Sequence, residues 1–453
     1  MAEYAVFWGC TIPARFPFIE KATRLMADDL SCQLRDGDGF TCCPEGTLVK
    51  ANSPEAFNLT AARNLALVER EGLDLITPCN GCYSTFKETQ SHLATDWRER
   101  DAINERLATV DLRYDGRLTI YHLAEYLADV VGIGAVAARV TRPLWGMRIA
   151  VHYGCHLLRP QPAVRWDDAL HPTKVEALVK SLGATVVDYP SKMVCCGGAL
   201  GRVGEMDSSM AFARKKLNEL KEAQVDALVV VCPSCFQQFD LNQAALSTAD
   251  DPQQLPVFYL SELVALAYGH SPEELGFAQH RTSVTPFLER LDRAAADKEH
   301  LARHFDVALL NKCDDCRACK DDCPVAKIDP TFRPNDMIAD LVRGRMDEVV
   351  ASAEAYKCVE CYNCQELCHS RIGMTGVMRS LKELGIARGQ APAAVISGYE
   401  AVLHDGVLGK PRMSARKKLG LGEVPTGGGN VIEELMAAGR TSAEKPAEQP
   451  VSQ

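Results

Sequence analysis

Ten cysteines in the first half of this 453-residue chain repeat one pattern twice, and no other feature limits the fold as much. Cys10, the adjacent pair Cys42-Cys43 and Cys79-x-x-Cys82 form the first set; Cys155, the pair Cys195-Cys196 and Cys232-x-x-Cys235 form the second. A shift of 153 positions carries Cys42, Cys43, Cys79 and Cys82 onto Cys195, Cys196, Cys232 and Cys235. Only the leading cysteine slips: Cys10 to Cys42 is 32 positions and Cys155 to Cys195 is 40, which puts eight extra residues in one loop of the second copy. Thiols that keep register while the loops around them drift are the working part of the repeat.

The segments between the thiols read as α/β. Tyr4 to Trp8 is a short apolar run ending at Gly9-Cys10, which suits a buried strand. Glu20 to Leu34 and Glu55 to Glu71 carry helical spacing, and Leu73 to Thr77 reads as a strand that presents Cys79-Asn80-Gly81-Cys82 at its C-terminal end. In the second copy Arg148 to Tyr153 runs into Cys155, Thr173 to Leu182 is helical, and Ala184 to Tyr189 is strand-like. Met206 to Ala223 is a long helix, and Ala227 to Val231 delivers Cys232-Pro233-Ser234-Cys235. Ligands gathered beyond strand ends fit open parallel sheets. The expected fold is an α/β N-terminal half of two pseudo-repeated domains, 1–145 and 146–285, followed by a mainly α, ferredoxin-like C-terminal module. A charged helical stretch begins near Ser271, with 286–310 as the linker. The module covers 311–390, and 391–453 is an extension with a basic stretch (Lys410 to Lys418), a glycine run at Gly427 to Gly429 and a polar tail from Thr441 whose composition predicts disorder.

A net charge of −10 and a pI near 5.6 argue against a nucleic-acid footprint. The most apolar long stretch, Leu118 to Val140, holds Glu125, Asp129 and Arg139 and is broken by Gly132 and Gly134, so no transmembrane segment is expected. Glu3 and Tyr4 lead straight into a strand-like run rather than a signal peptide. A cytoplasmic protein is the expectation, and there nineteen cysteines favour metal ligation over disulfides.

The C-terminal module has its own pattern. Cys313-x2-Cys316-x2-Cys319-x3-Cys323-Pro324 is the bacterial ferredoxin run, and Cys358-x2-Cys361-x2-Cys364-x3-Cys368 repeats it, with His369 in place of proline. In such a pair three close thiolates hold one [4Fe–4S] cube and the fourth reaches the other. That rule assigns Cys313, Cys316, Cys319 and Cys368 to one cube, and Cys358, Cys361, Cys364 and Cys323 to its partner. Paired zinc sites would also use eight thiols, but the evenly spaced triplets favour iron–sulfur.

In the N-terminal half a tetrahedral zinc site takes four ligands, so each set would leave one thiol over. A larger polynuclear centre accepts adjacent cysteines, one of them bridging metals, and soft thiolates select iron–sulfur chemistry. A thioredoxin-like dithiol at either C-x-x-C ignores the thiols around it.

The doubled CC…C-x-x-C pattern is the cysteine-rich CCG signature. With Gly9-Cys10-Thr11-Ile12-Pro13, His152-Tyr153-Gly154-Cys155-His156 and Val194-Cys195-Cys196-Gly197-Gly198, it makes residues 4 to 280 resemble the B-type subunit of heterodisulfide reductase. The C-terminal module resembles the C-type subunit of the same enzyme, so the chain looks like a B–C fusion. The resemblance implies that each complete set holds a non-cubane [4Fe–4S] centre, one on Cys10, Cys42, Cys43, Cys79 and Cys82, the other on Cys155, Cys195, Cys196, Cys232 and Cys235. It implies a disulfide substrate held between the two centres, each released sulfur being captured by an iron, with electrons arriving singly. Many relatives have one complete set; two complete sets favour disulfide chemistry. The first pair departs from the signature as Cys42-Cys43-Pro44, and proline removes an N–H that could bond cluster sulfur and so shift that centre's potential.

Smaller features carry less. Cys32 lies in a helical run and reads as a buried structural thiol. His152 and His156 flank Cys155 and are candidate proton donors, though loop positioning is the plainer role. Gly132-Ile133-Gly134 mimics a dinucleotide fingerprint without its strand or acid, and the glycine run lacks a P-loop lysine. With no flavin or nicotinamide motif, the chain needs a donor. By resemblance this is the flavin- and iron–sulfur-containing A-type subunit, with hydrogenase or formate dehydrogenase subunits behind it if the complex bifurcates electrons. The expected activity is disulfide cleavage, or thiol oxidation in reverse. The rival is an iron–sulfur relay for a lactate-, glycolate- or quinone-linked oxidoreductase.

Overall fold

The computed structural model describes residues 2–248, 254–313, 316–409, 411–424 and 431–436. The chain forms two units, Met1–Lys298 and Glu299–Gln453.

The first unit holds two four-stranded parallel sheets. Strands β1 (Ala2–Val6), β2 (Cys32–Asp36), β3 (Asp74–Thr77) and β4 (Ile120–His122) lie in the order β2-β1-β3-β4. Strands β5 (Arg148–His152), β6 (Thr185–Val186), β7 (Ala227–Val230) and β8 (Val257–Tyr259) repeat that order as β6-β5-β7-β8. Val6 pairs with Ile76, and Val151 with Val229, so the repeats share register as well as topology. All four residues of β7 are buried, as expected for a parallel strand covered on both faces. The helices between strands are set by local signals: Ser53 caps Pro54–Arg70 through its hydroxyl, with proline at the first helical position.

The repeats are joined by reciprocal bonds beside the thiols. His122, at the end of β4, accepts the Ala124 N–H at Nδ1, which leaves Nε2 to donate to the Val231 carbonyl at 3.2 Å, just before Cys232. Tyr259, at the end of β8, donates its hydroxyl to the Pro78 carbonyl, just before Cys79. The backbone N–H of each is held by a glutamate three residues on, Glu125 and Glu262. Each repeat thus supports the strand end that carries the other's C-x-x-C.

Several expectations change. The helix expected over Glu20 to Leu34 is Pro17–Asp29 and stops there; Ser31 turns left-handed (φ 56°) and Cys32 opens β2 opposite Ala2. Cys32 is therefore a strand residue, although buried as anticipated. The strand expected over Ala184 to Tyr189 shrinks to two residues, because the chain leaves the sheet to bury Tyr189, whose hydroxyl donates to the Val151 carbonyl. In the charged stretch that begins near Ser271, Phe277, His280, Phe287 and Leu291 are buried, and His280 bonds the buried Glu262 at 2.9 Å. The Gly132 string lies in a wide helical turn and the helix Ile133–Ala138, without the strand a dinucleotide site needs.

The second unit is helical. Pro334–Val342, Met346–Ala351 and Met374–Ala387 bury Ile338, Leu341, Met346, Val350, Met378 and Leu381. Helices Ala393–Asp405 and Met413–Lys418 bury no residue. Lys410 of the basic stretch, the glycine run and the tail from Thr441 lie outside the described residues. No described helix is long and apolar enough to cross a membrane.

Candidate metal centres

The two N-terminal sets form one continuous string of thiols. Contacts between thiols link Cys10 to Cys42, Cys42 to Cys43, Cys43 to Cys82 and Cys82 to Cys79. The second set runs Cys155, Cys195, Cys196, Cys235, Cys232 in the matching order. Cys79 then meets Cys232, so the sets touch at equivalent residues and the string reads the same from both ends. Cys10 and Cys42 are exposed, whereas Cys43, Cys82, Cys196, Cys232 and Cys235 are buried.

The fold brings these thiols together from strand ends. Cys79 and Cys232 follow β3 and β7 in extended conformation and start helices at Asn80 and Pro233. Gly9 and Gly154 turn left-handed before Cys10 and Cys155 (φ 72° and 71°). A Cβ on Gly9 would stand 2.9 Å from the Cys82 sulfur. Asn80 donates to the Tyr153 carbonyl at 2.8 Å, tying the first C-x-x-C to the second repeat.

Without metal the thiols share protons. Cys43 is pulled down to about 6, first by its bond from Cys42 and then by that from Cys82. Bonding from Cys155, then Cys196, pulls Cys195 down, and bonding from Cys235, then Cys79, pulls Cys232 well down. Five converging soft donors per set fit a polynuclear iron–sulfur group better than a four-coordinate ion.

The surroundings of the second set differ from those of the first, where the Glu45 N–H bonds Cys42. Gly197 and Gly198 point N–H groups at the sulfurs of Cys195 and Cys196, each at 3.4 Å. Pro44 stands where Gly197 would be and offers no N–H. His152 is buried, and its ring lies with the Cys196 and Cys235 sulfurs inside a 4.8 Å circle. Its nitrogens have no well-formed hydrogen bond, only a weak approach to the Lys192 carbonyl. Burial, then the nearby Lys216 charge, pushes it down to about 3, so it has no proton to give at neutral pH. His156 is exposed.

Lys216 is the residue that sequence reasoning passed over. It is 1% exposed, donates to the Ser191 carbonyl and lies over the Tyr189 ring at 5.0 Å. Burial pushes it down to about 8, against the opposing pull of Cys235 and Cys196. A lysine on the apolar face of an amphipathic helix, Met206–Glu222, was the available signal. Arg202 was also missed: it pairs with Glu45 of the first repeat at 3.1 Å and bonds Ser234, clamping the two cysteine-pair loops. A large surface cavity, lined by Glu69, Asp74, Asp115 and Arg117 among others, contains no cysteine.

In the second unit the eight thiols line two small cavities. One is bordered by Cys313, Cys316, Cys319, Cys364 and Cys368, the other by Cys319, Cys323, Cys358, Cys361 and Cys364. Arg317 and Tyr362, each directly after the second cysteine of its run, both turn left-handed (φ 64° and 65°). The two runs therefore wrap their cavities the same way.

Gly9→Ala tests how tightly the first set is packed. The left-handed φ alone costs about 1–2 kcal/mol for an alanine, and the new carbon also meets the Cys82 sulfur. Loss of iron from the first set is expected, together with a lower urea midpoint. Gly204→Ala is the control, since Gly204 has the same kind of φ (91°) with open space where a Cβ would stand: it should lose stability and keep its iron.

Two parallel-sheet repeats with thiols at their strand ends, followed by a helical eight-thiol module, define an iron–sulfur subunit of an oxidoreductase. The comparisons agree. The cysteine-rich CCG domain family matches residues 4–87 and 149–240, and the 4Fe-4S dicluster domain family matches 312–373. The B-type subunit of the ferredoxin/F(420)H(2)-dependent CoB-CoM heterodisulfide reductase of Methanosarcina acetivorans is 35% identical over 298 residues, 65% of this chain and 99% of that one. The 8-methylmenaquinol:fumarate reductase membrane anchor subunit of Wolinella succinogenes is 32% identical over 60% of this chain and 95% of its own. The C-type subunit of the H(2):CoB-CoM heterodisulfide,ferredoxin reductase of Methanothermobacter thermautotrophicus is 30% identical over 119 residues, 26% of this chain and 64% of that one. The chain belongs to the family of heterodisulfide reductase B-type subunits, and it carries a dicluster module like that of the C-type partner in the same polypeptide.

Proposed function

We propose that this chain is the disulfide-cleaving subunit of a heterodisulfide reductase-like complex. Single electrons enter from a flavin- and iron–sulfur-containing partner of the A type. Two cubane clusters would relay them, one held by Cys313, Cys316, Cys319 and Cys368, the other by Cys358, Cys361, Cys364 and Cys323. The cavities bordered by these thiols support that crossed ligation. The electrons end at the paired five-cysteine sets. There one disulfide, two electrons and two protons give two thiols, the S–S bond breaking and two S–H bonds forming; the reverse oxidises thiols. Non-cubane centres on the two sets would supply one-electron chemistry and iron sites for the released sulfurs. The chain's own residues hold the thiols at fixed spacing, brace each strand end from the opposite repeat and keep the inner thiols dry. A location inside the cell follows from this reading.

The observation that carries the proposal is the meeting of two complete five-thiol sets at Cys79 and Cys232. A substrate spanning two centres needs both sets complete and adjacent. The test is anaerobic protein oxidised with a panel of small thiols, coenzyme M among them, and followed by electron paramagnetic resonance. A thiol-dependent paramagnetic signal is expected. If no thiol elicits one, the fumarate reductase relative favours a second reading, in which the same centres relay electrons in a quinone-linked complex. Zinc in place of iron would remove both readings.

A further inference from the structure

The two N-terminal sets match in ligands and differ in surroundings. Three residues before the leading cysteine, the second repeat has His152 where the first has Phe7. Phe7 is packed edge-on against Phe40 and Phe86, with ring centroids 5.0 and 4.8 Å away, and offers the first set no polar atom. His152 is as deeply buried but turns an imidazole nitrogen toward the Cys196 and Cys235 sulfurs. Lys216 lies 153 positions after Arg63. Its ammonium is sealed in the interior over the Tyr189 ring, within electrostatic reach of Cys235, Cys196 and Cys195, whereas Arg63 reaches the Gly39 carbonyl at the surface. The backbone does not separate the leading thiols of the two pairs, since the Gly197 N–H meets the Cys195 sulfur and the Glu45 N–H bonds Cys42.

We propose that His152 and Lys216 make the second five-cysteine centre the higher-potential member of the pair, so that the first electron delivered to the reaction site settles there. This rests on the reading that both sets hold iron–sulfur centres. Reduction adds negative charge to a centre. A buried cation stabilises that charge strongly because little water screens it. A polar group turned toward the sulfurs, as His152 is, adds to the effect where an apolar ring would not. Phe7 gives the first centre no such help. The order of filling follows: the second centre is reduced first and the first centre completes the two-electron step. Lys216 and His152 act here as tuning residues rather than groups that touch substrate.

The experiment is a potentiometric titration of the full cluster-loaded chain, read by electron paramagnetic resonance without substrate. Two midpoints are expected from the N-terminal pair. His152→Phe, which copies the first repeat, and Lys216→Met are each expected to lower the higher midpoint. The expected shift is at least tenfold in the one-electron equilibrium, about 59 mV, with the lower midpoint unmoved. Phe7→His is the converse variant and is expected to raise the lower midpoint. The proposal is overturned if the lower midpoint moves in the His152 or Lys216 variants, if both midpoints move together, or if neither moves. If one variant loses its iron, the other two still decide. Unsubstituted protein lacking two N-terminal centres would instead overturn the underlying functional reading.

Discussion

Cys196→Ser is expected to abolish disulfide cleavage while leaving the ferredoxin-type signals of the C-terminal module intact. Cys196 is 5% exposed and links Cys195 to Cys235 in the middle of the second set. Serine nearly matches it in size, so the sheet has no reason to rearrange; what changes is the donor, a hard oxygen that stays protonated where a soft thiolate stood. The purified variant is expected to lose about four iron atoms, one cluster's content. Turnover with a disulfide substrate should fall to the background rate, because the substrate would meet a single centre. Retained turnover would show that this pair is not part of the reaction site.

Iron removal is expected to expose the second unit far more than the first. Around the C-terminal thiols the helices are short: Ala318–Asp321, Pro324–Ile328 and Asn363–Leu367 are one turn or little more. Isolated helices of that length are not stable in water. Arg317, Tyr362 and Glu360 are held left-handed without being glycine, a cost that something else must offset. Metal–thiolate bonds are that source, on the order of 10 kcal/mol for structural sites in small domains. The first unit has two sheets and a continuous apolar core from Phe7 and Leu65 through Val151 to Phe287. Chelation under anaerobic, reducing conditions followed by limited proteolysis should therefore give early cuts across 311–373 and a resistant fragment carrying the first unit. Equal resistance of both units would show that the clusters contribute little to the second unit's fold.

Much of the site was legible in the residues because spacing encodes it. The shift of 153 positions predicted two equivalent sets, and the sheets repeat in order and register accordingly. The missing N–H at Pro44 was readable too, since proline carries that deficit wherever it sits. Other features were not readable. The run through Cys32 has helical spacing up to Asp29, and nothing local says that Ser31 turns left-handed and starts a strand; β2 forms because β1 offers it an edge. The apolar residues after Ser271 could not be told from a linker, because their partners, such as Phe258 against Phe277 and Phe287, are brought near only by the fold.

The amino-acid order alone determined how the cysteines group: two five-cysteine sets in the first half and two four-cysteine runs after them. Those properties depend on residue type and short-range spacing, which survive in one dimension. Only the tertiary structure decided that the sets meet at Cys79 and Cys232, that His122 and Tyr259 each brace the other repeat, and that Lys216 and His152 attend one set and not its twin. Those facts concern distance and burial between residues far apart in the chain. Burial sets the strength of a charge or a dipole, so the electrical difference between two matching ligand sets exists only once the chain has folded.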